Sequence, residues 1–157
     1  MITAAELAAA HPFLAGLDPE RAAFLAGCAR LARFRAGEFL TREGQAAESC
    51  FLLLEGRVSV EIHVPGGGAR PLLTARGGEV VGWSWLVPPF RYRFDARALV
   101  PTRALSLAAQ CVRTKCEDDP RLGYLLLKRL AAALLDRLQE ARLQLADLYA
   151  APAGGRR

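Results

Sequence analysis

A mainly β fold with flanking helices is predicted: a β-roll or jelly roll of about eight strands, short N-terminal helices and a long C-terminal dimerisation helix. Three features predict it. Short apolar runs separated by glycines fill the middle of the chain, apolar residues at helical spacing precede them, and a leucine-rich stretch without internal proline follows.

The helical reading begins with Thr3, placed to cap a helix over residues 4–10, and continues with Asp18-Pro19-Glu20, where Asp18 caps and Pro19 takes the first helical position. Phe24, Leu25, Cys28 and Leu31 recur at helical spacing and predict one apolar face. From Phe34 the rhythm changes. Cys50 to Leu54 is a continuous apolar run, the pattern of a buried strand. Arg57 to Val64 alternates, with Val58, Val60, Ile62 and Val64 on one face and Arg57, Ser59, Glu61 and a solvated His63 on the other. Pro65 to Ala69 reads as a hairpin tip leading into a strand over Pro71 to Ala75, so its glycine triplet is not read as a phosphate cradle. Strands over 94–100 and 103–107 complete the roll, with Asp95 and Arg97 on one face as a structural pair.

Glu117-Asp118-Asp119-Pro120 opens the last helix, which runs from Arg121 to about Leu148. Leu134, Leu138, Ala141, Leu145 and Leu148 follow alternating steps of four and three, a coiled-coil seam flanked by Arg137, Glu140, Arg142 and Asp147. Leu126, Leu127 and Leu130 are expected to seat the helix on its own roll, leaving the later seam for a second copy. One domain over residues 1–150 follows, with helices at 1–33, the roll at 34–108 and helices at 109–149, before a disordered tail at 151–157.

Composition narrows the function. A formal charge of +5 comes from arginines spread along the chain, unlike the clustered footprint of a nucleic-acid binder. The absence of a long apolar span or a signal-peptide pattern points to a cytoplasmic protein without a membrane partner. Cys28, Cys50, Cys111 and Cys116 lack C-x-x-C spacing and only His11 and His63 offer imidazole, so buried free thiols and no metal site are expected. No nucleophile with an adjacent base is visible, which argues against an enzyme.

One segment carries chemistry. Gly82-Trp83-Ser84-Trp85, with Arg91 and Arg93 beyond Pro88-Pro89, gathers the parts for holding an anion beside a flat ring, and these six residues are the candidate ligand-binding set. Trp83 and Trp85 lie two apart, so one is expected to pack inward and the other to line the pocket.

The order His11-Pro12-Phe13-Leu14, Gly16-Leu17, Ala36-Gly37-Glu38, Gly44, Phe51 to Leu54 with Glu55-Gly56, and Gly78-Glu79 resembles the cyclic-nucleotide-binding domain family, the sensory domain of catabolite activator-type regulators. The resemblance implies a β-roll whose long helix pairs in dimers. It also implies a cassette in which a short helix beginning Gly-Glu meets the cyclic phosphate, the glutamate binds the ribose hydroxyl and an arginine pairs with the phosphate. Gly82 matches the cassette glycine, but Trp83 stands at the glutamate position, and Arg91 or Arg93 stands for the arginine. Loss of a hydrogen bond to a charged group, worth roughly 1.5–3 kcal/mol, weakens ribose binding by about tenfold or more. The implied function is a regulatory module sensing a nucleotide, cyclic AMP or cyclic GMP, or another anion with altered specificity. The alternatives are a non-binding domain that docks a protein partner, and a regulator of transcription acting only through a separate DNA-binding partner, since no helix-turn-helix follows the long helix and DNA binding in cis is not expected.

Overall fold

The structure is a computed structural model that describes residues 1–150; the tail expected to be disordered lies outside the described residues. At the N-terminus come α1 (Ala4–Ala10), a 3₁₀ turn (Pro12–Leu14) and α2 (Pro19–Ala26). Thr3 caps α1 in a reciprocal box with Glu6, and the Asp18 carboxylate caps α2 by accepting from the Arg21 N–H. The roll follows: β1 (Ala29–Phe34), β2 (Phe39–Thr41), β3 (Ser49–Glu55), β4 (Arg57–Val64), β5 (Gly68–Arg76), β6 (Val80–Val81), a second 3₁₀ turn (Trp83–Trp85), β7 (Asp95–Ala98) and β8 (Thr102–Ala108). Two helices close the chain, α3 (Ala109–Asp118) and α4 (Pro120–Ala150).

The strands form two antiparallel four-stranded sheets, ordered β1-β8-β3-β6 and β2-β7-β4-β5. Phe51 and Leu53 of β3 point between the sheets to meet Val58, Ala75, Ala96, Ala98 and Ala104. Cys50 and Leu52 point the other way, into a second core shared with Leu14, Leu25, Val112, Leu122, Leu126 and Leu130 of the helices. Burial on both faces is why β3 is apolar without alternation. At the β3–β4 turn Gly56 has φ +107°, and a Cβ there would approach the Thr102 Cα to 2.8 Å, so only glycine fits. Pro71, which donates no hydrogen bond, sits on the edge strand β5 at a register shift.

Several sequence expectations are corrected. The apolar face over Phe24 to Leu31 is not one helix: α2 stops at Ala26, Leu31 belongs to β1, and the roll begins at Ala29 rather than at 34. Pairing with β8 across β1 overrides the local helical period. Asp95 and Arg97 do not pair with each other, because i and i+2 on a strand stand farther apart than cross-strand neighbours. Arg97 donates to Glu61 Oε1 at 2.7 Å, whereas Asp95 accepts from the Glu43 N–H at 2.8 Å. Asp95 also lies 3.7 Å from both Arg42 Nε and the exposed His63. Ser59 and Glu61 are buried as well as Val58 and Val60. Leu126 and Leu130 seat α4, but Leu127 is exposed, and Leu122 takes the third buried position.

The four cysteines are not all free. Cys28 and Cys111 form a disulfide with Cα atoms 5.7 Å apart, joining the start of β1 to the first turn of α3 across a separation of 83 residues that no spacing motif reveals. Cys50 is a buried free thiol whose pKa desolvation pushes up to about 12, and the half-buried Cys116 thiol is also raised by burial.

Two stability predictions follow from this packing. His11 is buried, with Nε2 2.9 Å from the Leu53 carbonyl and Nδ1 accepting from the Phe13 N–H. That arrangement requires the neutral ring, and burial, partly offset by the Leu53 carbonyl, lowers its pKa. The unfolded chain therefore binds this proton more readily, so the His11 contribution is present above about pH 6.5 and is lost as the pH falls below it, by at most about 1.4 kcal/mol per pH unit. Thermal midpoints measured between neutral and mildly acidic pH should fall for the parent and fall less steeply for His11→Gln. Replacing Cys28 by serine, or adding reductant, should lower the unfolding free energy by roughly 2–5 kcal/mol in denaturant titrations.

Candidate functional site

Gly82 ends β6 in the left-handed region, with φ 90° and ψ 51°. A Cβ there would crowd the Ser49 carbonyl at 3.2 Å and the Tyr92 ring at 3.4 Å, so the backbone turns where a side chain could not. The turn starts Trp83–Trp85 and sends the two indoles apart. Trp85 is buried among the helix-side core, and Trp83 is half-buried at the edge of a small cavity. Both indole N–H groups lack a hydrogen-bond partner among the described residues.

The far half of the cassette is fastened to the loop between β2 and β3. Tyr92 O–H donates to the Ser49 carbonyl at 2.6 Å and accepts from the Ser49 N–H at 3.2 Å, while burial raises its pKa. Ala47 N–H donates to the Phe90 carbonyl at 2.7 Å, and Arg91 Nη1 donates to the Gly44 carbonyl at 2.8 Å. The Pro88–Pro89 bond is cis, and Phe90 takes a positive φ of 54°. From the other side Arg113 of α3 donates to the Trp85 carbonyl at 2.5 Å and lays its guanidinium 4.4 Å from the Phe90 ring centre.

The cavity is bounded by Thr41, Val60, Val81, Gly82, Trp83, Ser84, Tyr92, Arg93, Phe94, Ala96 and Arg137. Four of the six candidate residues, Gly82, Trp83, Ser84 and Arg93, therefore come together, and two do not. Trp85 packs into the core, and Arg91 donates to the Gly44 carbonyl. The cavity volume is about 40 Å³, well below the roughly 300 Å³ at the lower end of small-molecule sites. On the far side of Trp83 and Arg137 lies a groove of about 290 Å³, lined also by Pro12, Phe13, Glu79, Asp136 and Glu140.

Arg137 is the residue that sequence reasoning missed. Its Nη2 donates to the Val80 carbonyl at 2.6 Å, and its guanidinium lies 5.1 Å from the Trp83 ring centre, while Phe13 meets that ring edge-on at 6.1 Å. Desolvation lowers its pKa, only partly countered by Glu79 and Glu140. The signal was present in the sequence, since Leu122, Leu126, Leu130, Ala133 and Arg137 fall at steps of four and three along one face. No carboxylate lines the cavity among the described residues, so the charge facing it comes from Arg93 and Arg137. Nor do three or more His, Cys, Asp or Glu side chains gather as a metal-binding group among those residues.

Known proteins carry the same architecture. The chain is 26% identical over 152 residues to a CRP-like cAMP-activated global transcriptional regulator of Mycobacterium tuberculosis, an alignment covering 96% of this chain and 66% of that regulator. Thermus thermophilus Catabolite Activator Protein superposes with a TM-score of 0.69 at 27% identity, covering 88% of this chain and 63% of that one. A cyclic nucleotide-binding domain from Methylobacillus flagellatus superposes with a TM-score of 0.80 over 91% of this chain and 83% of that one; at 19% identity it shows the fold alone. The Cyclic nucleotide-binding domain family matches residues 31–119, more than half of the chain. With the two-sheet roll and the long final helix in place, this chain belongs to the cyclic nucleotide-binding domain family.

Proposed function

We propose that the chain is a cytoplasmic regulatory module, without catalytic activity, that senses an anionic ligand in the Gly82 to Arg93 cassette. The observation that carries this reading is the charge of the cavity, where Arg93 and Arg137 face Ser84 and the Gly82 turn with no carboxylate between them. Such a lining favours a phosphate or carboxylate group. The M. tuberculosis relative is by name cAMP-activated, which makes a cyclic nucleotide the first ligand class to test. Trp83 in place of the glutamate supports an altered specificity, with ring stacking substituting for a ribose contact.

A ligand needs room that the closed cavity lacks. Trp83 and Arg137 border both the cavity and the outer groove, so they form a partition. With both side chains swung aside, the joined space reaches the lower end of small-molecule sites, about 300 Å³. Because Arg137 rides on α4, an anion that draws its guanidinium away from Val80 and Trp83 shifts the preferred state of that helix. The small size of the closed cavity is also the observation favouring the second reading, a plugged domain that serves as an interaction module.

The exposed face of α4 supports a homodimer. Leu134, Leu138, Ala141, Leu145 and Leu148 are all exposed, and Tyr124, Leu127 and Ala131 extend the same spacing toward the start of the helix. No helix among the described residues is long and apolar enough to cross a membrane. The chain spans 66% of the length of the M. tuberculosis regulator.

Titration calorimetry with cyclic AMP, cyclic GMP and cyclic dinucleotides should give heat with at least one of them; silence with all would end the nucleotide form of the proposal. For the ligand that binds, Arg93→Ala and Arg137→Ala should each weaken affinity by about tenfold or more. If the site is plugged instead, Trp83→Glu combined with Phe94→Ala creates no nucleotide affinity. Light scattering should return a dimer mass for the parent and a monomer mass for Leu138→Glu, and a monomeric parent would remove the seam argument.

A further inference from the structure

One covalent bond holds the start of α3, and little else does. Its N-cap position, Ala108, offers no side-chain acceptor to the first turn, and along its 10 residues only Ala109 and Val112 are buried. A helix of that length is marginal without tertiary anchors. Cys111 stands in the first turn, and its bridge to the buried Cys28 fixes that turn to the start of β1. Two backbone bonds lie beside the bridge: the Ala108 N–H donates to the Cys28 carbonyl at 3.0 Å, and the Ala109 N–H donates to the Glu48 carbonyl at 2.9 Å.

The same turn reaches the cassette by two routes. Glu48 follows Ala47, whose N–H holds the Phe90 carbonyl. Arg113, next but one after Cys111, holds the Trp85 carbonyl and lies over the Phe90 ring. The bridge is also placed to react, because Cys111 is partly exposed and gives an external thiol a side to approach. The two free thiols do not compete for it: burial pushes Cys50 up to about 12 and raises Cys116, so neither is an effective thiolate at neutral pH. In the cytoplasm, where thiols are kept reduced, a disulfide is usually a transient, sensing bond rather than a staple.

We propose that the Cys28–Cys111 bridge is a redox switch that tightens the cassette when oxidised and loosens it when reduced, by exchange with a thiol–disulfide couple of the glutathione class. In the reducing direction a thiolate attacks the Cys111 sulfur, the S–S bond breaks, and Cys28 leaves as a thiolate that takes a proton. A second thiol attacks the reductant's sulfur in the mixed disulfide and releases Cys111, which takes the second proton. Two electrons pass to the protein, and the reductant leaves as its own disulfide; oxidation runs the same steps backward. Without the bridge α3 keeps Val112 and, at its far end, Asp119, whose carboxylate accepts from Arg21 Nε at 2.8 Å, so the first turn is the part that opens. Arg113 and Glu48 carry that opening to Trp85 and Phe90. The switch rests on the cytoplasmic reading of the chain and regulates the proposed cassette, whatever ligand it takes.

The test uses the full chain without ligand, so its failure is separate from failure of the nucleotide reading. Equilibrated with reduced and then oxidised glutathione, the chain should pass reversibly between four and two alkylatable thiols under denaturing conditions, since Cys50 and Cys116 are free in both forms. Circular dichroism should be retained. Hydrogen exchange at short labelling times, which reports local opening, should rise on reduction by about tenfold or more at Ala47 and Phe90 and by less than about twofold along β4 and β5. Trp83 and Trp85 are the only tryptophans, so emission should shift with the same midpoint. The double variant Cys28→Ser, Cys111→Ser should match the reduced form and ignore glutathione. Arg113→Ala should raise exchange at Phe90 in the oxidised chain, and reduction should then add less than about threefold. A bridge that stays closed in millimolar reduced glutathione, an equal rise in the cassette and in β4–β5, unchanged exchange at Ala47 and Phe90, or unfolding on reduction would each overturn the proposal.

Discussion

Seating of α4 on the roll governs the rest of the molecule. Leu122, Leu126 and Leu130 bury themselves in the helix-side core, and one turn farther Ala133 and Arg137 meet Val80 and Trp83. Each fully buried leucine contributes about 1.5–3 kcal/mol at most, whereas the net gain from one hydrogen bond is about 0.5–1.5 kcal/mol. The leucines therefore hold the helix while Arg137 makes a contact that can be exchanged. The same seating turns the Tyr124 to Leu148 stripe outward, so cavity and seam lie on two faces of one rigid element.

Arginine plays four separate parts here, and the surroundings of each decide which. Arg91 and Arg113 each donate to a backbone carbonyl, of Gly44 and Trp85, tying the cassette to the β2–β3 loop and to α3. Arg97 neutralises the buried Glu61. Arg137 lies half-buried against an indole, and Arg93 remains at the cavity rim. Two arginines thus border the cavity beside a firmly held backbone.

Much of the fold was legible because its signals are local. Thr3 and Asp18 cap where their side chains can reach an N–H three residues on, and β3, β4, β5, β7 and β8 follow from glycine-punctuated apolar runs. The errors fell where long-range partners compete with local period. Leu31 reads as helical until β8 claims it, Leu127 reads as core until the neighbouring leucines set the helix rotation, and Asp95 with Arg97 reads as a pair until β4 supplies Glu61. The Cys28–Cys111 bridge had no signature at all, because its spacing is an accident of how far the roll carries the chain before returning.

For the candidate site the division is similar. Sequence was sufficient to place a turn at Gly82, aromatic side chains after it, arginines beyond the prolines and an apolar seam near the end, since each rests on residue type and spacing along a few turns of chain. Tertiary packing alone chose Arg93 over Arg91 for the cavity, sent Trp85 inward and Trp83 to the rim, narrowed the space to about 40 Å³, and brought in Arg137 from more than fifty residues away. Spacing describes which side chains share a strand or helix face, whereas a cavity is enclosed by elements whose relative placement depends on sheet register and helix seating, and no local interaction encodes either.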